Sequence, residues 1–224
     1  MIRKLKITKW DMLYAPEKRS LFAKFEEFLI NTYFSGVFTK AILSVSNIKN
    51  GKFFEPGSGG GMSCVTLAKQ GFDVTCLDLS KNALKKSKSL FNHMSLDGEF
   101  TQGTLFNLPI RDEQFNVVFN QGVMEHFRLD NLDPSKGVKE MMRVLKNNGT
   151  LVIFVPAYFS LIFFIYRFLK MFNSVEKYWP YEDQDFLHKH ELFDMMEKAG
   201  CKNITVRRLR SSLFFSLIGY CKKQ

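Results

Sequence analysis

The chain has 224 residues, 46% of them hydrophobic, and a net charge of +10, which suits one substantial core and excludes a disordered or collagenous chain. The four cysteines, Cys64, Cys76, Cys201 and Cys221, form no C-x-x-C pair, so neither a zinc knuckle nor a dithiol redox site is indicated; we expect no metal and a reduced, cytoplasmic setting. The opening "MIRKLKITKW" is basic, but no apolar stretch follows it as in a signal peptide.

Residues 17–45 are apolar at three- and four-residue spacing, with Phe22, Phe25, Phe28 and Leu29 in step, which predicts one or two helices. Lys52-Phe53-Phe54-Glu55 predicts a short buried strand. Gly57, Gly59, Gly60 and Gly61 then crowd one turn before Met62–Gln70, a predicted helix closed by Gly71. Glycine weakens helix and strand interiors. A glycine turn between strand and helix, however, brings backbone N–H groups and the positive end of a helix to a ligand. A plain flexible loop would be polar on both flanks, and this one is not.

Val74-Thr75-Cys76-Leu77-Asp78 predicts a second strand ending in an acid. Asp78 lies 21 residues beyond Gly57, a spacing that suits a carboxylate accepting from a ribose diol. Ser80 is placed to cap a helix running from Lys81 toward Asn92. Residues 98–103 predict a third strand, 108–115 a turn and 116–122 a fourth strand. Residues 133–149 predict a helix capped by Asp133, with Pro134 in its first turn and Gly149 at its end. Residues 150–156 predict a fifth strand, apolar as suits the middle of a parallel sheet. After an apolar stretch at 157–172, residues 188–200 predict a helix, and 203–209 and 213–221 two closing strands. The alternation makes the fold class α/β, a doubly wound and mostly parallel sheet. We expect one domain over 1–224, with a helical cap at 1–50 and an insertion or lid at 157–187.

The dinucleotide fingerprint G-x-G-x-x-G needs a third glycine where Met62 stands, which opposes a nicotinamide dehydrogenase. The pattern present is Glu55-x-Gly57-x-Gly59-x-Gly61, with Asp78 at the tip of the next strand. It resembles the first motif of the class I S-adenosylmethionine-dependent methyltransferases, in the broad group that includes quinone and sterol methylating enzymes. The resemblance continues through "GTLFNLPI", "FNVVFNQGVMEHF" and "EMMRVLKNNGTLVI", and runs from about residue 50 to the C-terminus. It implies a seven-stranded sheet whose antiparallel seventh strand lies beside the sixth, and S-adenosyl-L-methionine as cofactor. The cofactor residues it implies are Glu55, Gly57, Ser58, Gly59, Gly61, Asp78, Leu79, Thr104, Leu105, Asn120 and Gln121. Thr104 stands where the family carries an aspartate for the adenine amine, which shifts adenine recognition toward backbone groups near Leu105.

His126, just past the fourth strand, is the candidate general base; its competing reading is a structural histidine that holds the loop. His188 and His190 are two residues apart, unlike a helical metal pair. Asn120-Gln121-Gly122-Val123 lacks the proline pair of enzymes that methylate exocyclic base amines, and no Pro-Cys serves cytosine-ring chemistry. Nucleic acid is therefore disfavoured as a partner, although other RNA methylation stays open. Residues 201–224 nevertheless carry six Lys/Arg and no acid.

Thirteen of the sixteen residues at 157–172 are apolar or aromatic, too short a stretch to span a bilayer. They read as a lid over an apolar acceptor, an interfacial helix with Arg167 and Lys170 at headgroup level, or a core or dimer helix. We expect a small, apolar or amphipathic, lipid-like acceptor and peripheral contact with an anionic membrane. The rival from another class is a regulatory module that binds the cofactor without turnover.

Overall fold

The computed structural model describes residues 10–14, 33–129, 131–175 and 185–224. Phe22, Phe25, Phe28 and Leu29 lie outside the described residues; of the expected 17–45 helical segment, helix α1 (Ser35–Ser46) is described. Next come β1 (Lys52–Pro56), α2 (Met62–Ala68), β2 (Asp73–Asp78), α3 (Lys81–His93) and β3 (Glu99–Gln102). The second half holds β4 (Phe115–Gln121), α4 (Met124–Leu129), α5 (Pro134–Val144), β5 (Leu145–Pro156), α6 (Leu161–Met171), α7 (Lys189–Lys198), β6 (Thr205–Arg208) and β7 (Ser216–Lys222). The strands form one sheet in the order β3-β2-β1-β4-β5-β7-β6. All neighbours are parallel except β7, which runs antiparallel to β5 and β6. This is the expected architecture, including the inserted seventh strand.

Period-two alternation along the central strands feeds a core on each face. Phe53, Val117, Phe119, Val152 and Phe154 point to the side covered by α1 and α2. Phe54, Val118, Leu151, Ile153 and Val155 point to the side covered by α5 and α7. Aromatic pairs tie both layers down: Phe53 meets Phe72 and Phe54 stacks on Phe115, each with ring centroids 4.7 Å apart. Burying a side chain of this size stabilises the fold by about 1.5–3 kcal/mol. The chain winds outward from β1 through β2 to β3, and the other way from β4 to β5. The crevice at the carboxyl ends of β1 and β4 is thus the topological switch point, where ligands bind in open α/β sheets.

The helix expected to end at Gly149 stops at Val144 instead, and β5 begins at Leu145. Its last carbonyls are taken from outside the helix. Glu113 N–H donates to Arg143 O at 3.1 Å, and Gln114 N–H to Val144 O at 2.8 Å. The Lys223 ammonium, held beside β5 by β7, donates to Leu145 O at 2.7 Å. Leu145 then pairs with Phe115, and a register shift absorbs residues 146–149, with Asn148 in the left-handed region. Arg143 is a structural clasp rather than a chemical group. It donates to the carbonyls of Leu108 and Ile110 and pairs with Glu140 and Asp112, fixing the loop before β4.

Among the described residues no helix is long and apolar enough to cross a membrane. Ser160 caps α6, its hydroxyl accepting from Phe163 N–H at 3.2 Å. Phe163 and Tyr166 turn inward onto Phe186 in a small satellite core. Much of the rest of the helix faces solvent.

Candidate cofactor and acceptor site

The turn between β1 and α2 needs glycine at alternate positions. Gly57, Gly59 and Gly61 have φ of +78°, +52° and +74°, a region that side chains larger than hydrogen resist. Each is also crowded from a different direction. A Cβ on Gly57 would sit 2.6 Å from Val123 Cγ2; on Gly59 it would strike the Tyr14 hydroxyl, and on Gly61 the Ser87 hydroxyl. Gly60 has no such constraint, its nearest neighbour being the Lys86 side chain at 3.8 Å. Gly61→Ala should therefore cost about 1–3 kcal/mol, and Gly60→Ala no more than about 0.5 kcal/mol. Urea unfolding of the two variants checks this, and equal costs would contradict it.

Asp78 stands at the tip of β2, facing the turn. Its Oδ2 accepts from Gly59 N–H and its Oδ1 from Ser80 N–H, both at 2.8 Å. Burial raises its pKa most, while the N–H groups of Ser80, Gly59 and Leu79 pull it down and nearby Asp11 pushes it up. Each carboxylate oxygen keeps a further lone pair that a diol can use. Ser80 caps α3 as expected, its hydroxyl accepting from Ala83 N–H at 3.1 Å.

Asp11, Trp10 and Tyr14 join this site from the far end of the sequence. Asp11 Oδ1 accepts from the Ser80 hydroxyl at 2.6 Å and from Asn82 N–H at 3.3 Å. Asn82 Nδ2 also donates to the Asp11 carbonyl at 2.9 Å. Trp10 meets His126 edge-on, with ring centroids 5.0 Å apart. The helical turn at 10–13 thus bridges the start of α3 and the start of α4, across the switch-point crevice. Sequence reasoning missed these three residues. The aromatic and acidic composition of "WDMLY" is their only local signal, and it names no partner 69 or 71 positions away.

Glu55 lies under the turn and is buried. Its Oε2 accepts from the Cys64 thiol at 3.2 Å. Burial pushes its pKa well above the ordinary carboxylate range, and Cys76 and Asp78 push it further. An acid that holds its proton more tightly folded than unfolded stabilises the fold below its unfolded pKa, here about 4.5. That contribution is lost as pH rises toward the folded pKa, because the folded state then binds more protons than the unfolded one. Glu55→Gln should melt higher than the parent at pH 8, by about 2–4 °C for each kcal/mol of relieved penalty, and the gap should close below pH 4.5. A constant gap across pH would mean that Glu55 does not titrate in this way.

Other expected site residues divide between the crevice and the scaffold. Asn120 is fully buried at the end of β4, where its Nδ2 donates to Pro56 O at 2.5 Å and braces β1. Gln121 Oε1 accepts from the Ser63 hydroxyl at 3.1 Å, tying β4 to α2. The buried Ser58 Oγ and Asn120 Oδ1 have no hydrogen-bond partner among the described residues, and both sit beside Gly57. Buried polar atoms are normally paired, so the crevice fits a ligand rich in donors and acceptors, as S-adenosyl-L-methionine is. The Leu79 carbonyl accepts from Gln102 Nε2 at 3.1 Å. Thr104 Oγ1 accepts from Phe106 N–H at 3.4 Å within its own turn, and the Leu105 side chain belongs to the core. His126 lies on α4, two residues into the helix that follows β4. His188 and His190 lie elsewhere, at the start of α7, with rings stacked 5.5 Å apart. Among the described residues no cluster of His, Cys, Asp and Glu is arranged to hold a metal.

A family model described as a methyltransferase domain matches residues 54–153. The demethylmenaquinone methyltransferase of Staphylococcus haemolyticus is 30% identical over 166 residues, 67% of this chain and 67% of that protein. The chloroplastic 2-methyl-6-phytyl-1,4-hydroquinone methyltransferase 1 of rice, Oryza sativa subsp. japonica, is 26% identical over 161 residues, 70% of this chain and 43% of that protein. Among solved structures, a SAM-dependent methyltransferase of Thermotoga maritima superposes with a TM-score of 0.66 at 20% identity, covering 91% of this chain and 96% of that one. With the alternate-glycine turn, the acid at the tip of β2 and the inserted antiparallel strand, these similarities establish that the chain belongs to the S-adenosyl-L-methionine-dependent methyltransferases.

Proposed function

We propose that this methyltransferase acts on a small, apolar or amphipathic acceptor at the carboxyl ends of β4 and β5. The observation that carries this reading is the shared end of the sheet. The glycine turn and Asp78 lie at the carboxyl ends of β1 and β2, and the apolar segment that becomes α6 leaves the carboxyl end of β5. The Staphylococcus and rice relatives, a demethylmenaquinone and a phytylhydroquinone methyltransferase by name, support a hydroquinone with an isoprenoid tail as the acceptor class. An anionic membrane is the second partner this reading calls for.

In this reading the backbone at Gly57, Ser58, Gly59 and Gly61 cradles the cofactor, and Asp78 accepts from its ribose hydroxyls. Leu79, Thr104 and Leu105 flank the adenine, while Asn120 and Gln121 line the β4 end. Glu55 supports the turn from beneath through Cys64. The turn at 10–14 roofs the crevice, and much of the expected cap at 1–50 lies outside the described residues. The described residues 157–175 and 185–187 serve as a lid within a single domain, the rest of the expected 157–187 segment lying outside the described residues. The bound cofactor supplies a methyl group already activated on a sulfonium.

The chain's own residues have three tasks. They hold the acceptor in line, exclude water, and remove a proton where the acceptor must lose one. His126, backed by Trp10, would take that proton from the acceptor atom that receives the methyl group. The test is mass spectrometry of small molecules carried through purification. The expected result is the cofactor or its demethylated product, together with an apolar molecule. Recovery of RNA or a polar metabolite in its place would overturn the acceptor assignment.

A further inference from the structure

An unusual number of large apolar side chains stand in solvent on one edge of the molecule. Along α6, Phe164 is 54% exposed and Phe168 59%, with Leu161, Ile165 and Met171 exposed beside them. Two neighbouring loops add to this face at a conformational cost. Phe159, Leu213 and Phe214 are all exposed and all have positive φ, at +56°, +53° and +63°. A bulky side chain in that region costs of order 1–3 kcal/mol, and such strain gathers at functional places. The two loops are fastened together by Arg208, which donates to the carbonyls of Tyr158 and Phe214.

The cations lie on the same edge. Lys189, Arg207, Arg208 and Arg210 line one open pocket together with Phe214, and Arg167 and Lys170 project from α6 itself. Nearby Asp185 and Glu191 are spent on Arg128, at 3.1 and 2.8 Å. Apolar side chains held out by strained loops, with arginines set beside them, have the chemistry of an interfacial surface. A soluble protein partner would supply acids to the cations but no reason for so broad an apolar face.

We propose that this edge docks on a bilayer of anionic phospholipid. Phe159, Phe164, Phe168, Leu213 and Phe214 enter the interface, and Lys189, Arg207 and Arg210 take the phosphate headgroups. The proposal extends the apolar-acceptor reading, because a bilayer is where such an acceptor dissolves, and it places α6 between lipid and crevice.

Flotation with phosphatidylcholine vesicles, with and without an equimolar share of phosphatidylglycerol, tests it. The protein should float with the anionic vesicles and stay behind with the neutral ones. Each exposed cation removed should weaken binding about five-fold, so Arg207→Ser/Arg210→Ser should lose about 25-fold. Phe164→Ser/Phe168→Ser should lose at least about ten-fold, and it removes little core because both rings already face solvent. Cofactor affinity by calorimetry should be unchanged in all of these variants. Flotation lost while that affinity holds is thus a loss of docking and not of fold.

Four results would overturn the proposal. One is a wild type that does not float. Another is a wild type that binds inorganic phosphate at the arginines without floating. The third is Phe164→Ser/Phe168→Ser converting a dimer to a monomer in sedimentation velocity with flotation unchanged. The last is RNA binding, lost in the arginine variant, in a protein that ignores vesicles. A wild type that fails to float yet copurifies with an apolar acceptor would sink the docking surface and leave the acceptor reading standing.

Discussion

Gly59→Val should abolish cofactor binding. Gly59 has φ +52° and faces the Tyr14 hydroxyl with no room for a Cβ. A β-branched side chain both strains the backbone and fills the space between the turn and its roof. Its N–H is also one of the backbone donors that hold the Asp78 carboxylate, so the acid loses its position together with the cradle. Since the same strain can lower stability, Asp78→Ala serves as the companion. It removes the charged acceptor of the diol without adding bulk to the turn, although it also frees the Gly59 N–H that the carboxylate accepts from, and should weaken the cofactor by about 1–3 kcal/mol, or about 5- to 150-fold. Calorimetry reads both variants, with circular dichroism to confirm folding. Full affinity in a folded Asp78→Ala protein would remove Asp78 from the cofactor's ribose.

The second large effect is expected at His126. If its imidazole takes the acceptor's proton, His126→Asn should lower turnover about 10²–10⁴-fold with little change in cofactor affinity. The competing role is mechanical, since the ring packs on Trp10 and helps hold the N-terminal turn over the crevice. The two roles separate in the pH profile. Loss of a base removes the acidic limb of the rate profile, whereas loss of a prop lowers the rate evenly and weakens the cofactor. Trp10→Leu is the control for the prop, as it takes away the ring contact and leaves the imidazole. Full turnover in a folded His126→Asn protein would return His126 to the structural role.

Much of this was legible in the sequence because it is local. The strand–glycine–helix turn, the acid at the end of β2, the Ser80 cap and the Asp133-Pro134 helix start each depend on residues within a few positions, and all form as read. What escaped depends on distance. The end of α5 was misplaced by five residues, because the groups that take its last carbonyls come from the loop before β4 and from Lys223. The roof residues Trp10, Asp11 and Tyr14 were invisible because their partners arrive from the glycine turn, the start of α3 and α4. The glycine cluster was legible as a whole, but not that Gly60 is the dispensable member, which follows from its backbone angle and open surroundings. In α6, composition alone could not separate Phe163, 8% exposed, from Phe164 beside it. A helix apolar nearly all round has no polar face to mark its direction, and only the satellite core on Phe186 fixes it.

Methyl transfer from a cofactor held at the glycine turn to an apolar acceptor is the reaction to be demonstrated. It is tested most directly by incubating the protein with S-adenosyl-L-methionine labelled in its methyl group and an organic-solvent extract of cells, then partitioning the products. The account predicts that label moves into the organic phase with the wild-type protein and does so far more slowly with Asp78→Ala. Label that stays in the aqueous phase, or that enters RNA or protein, would contradict it.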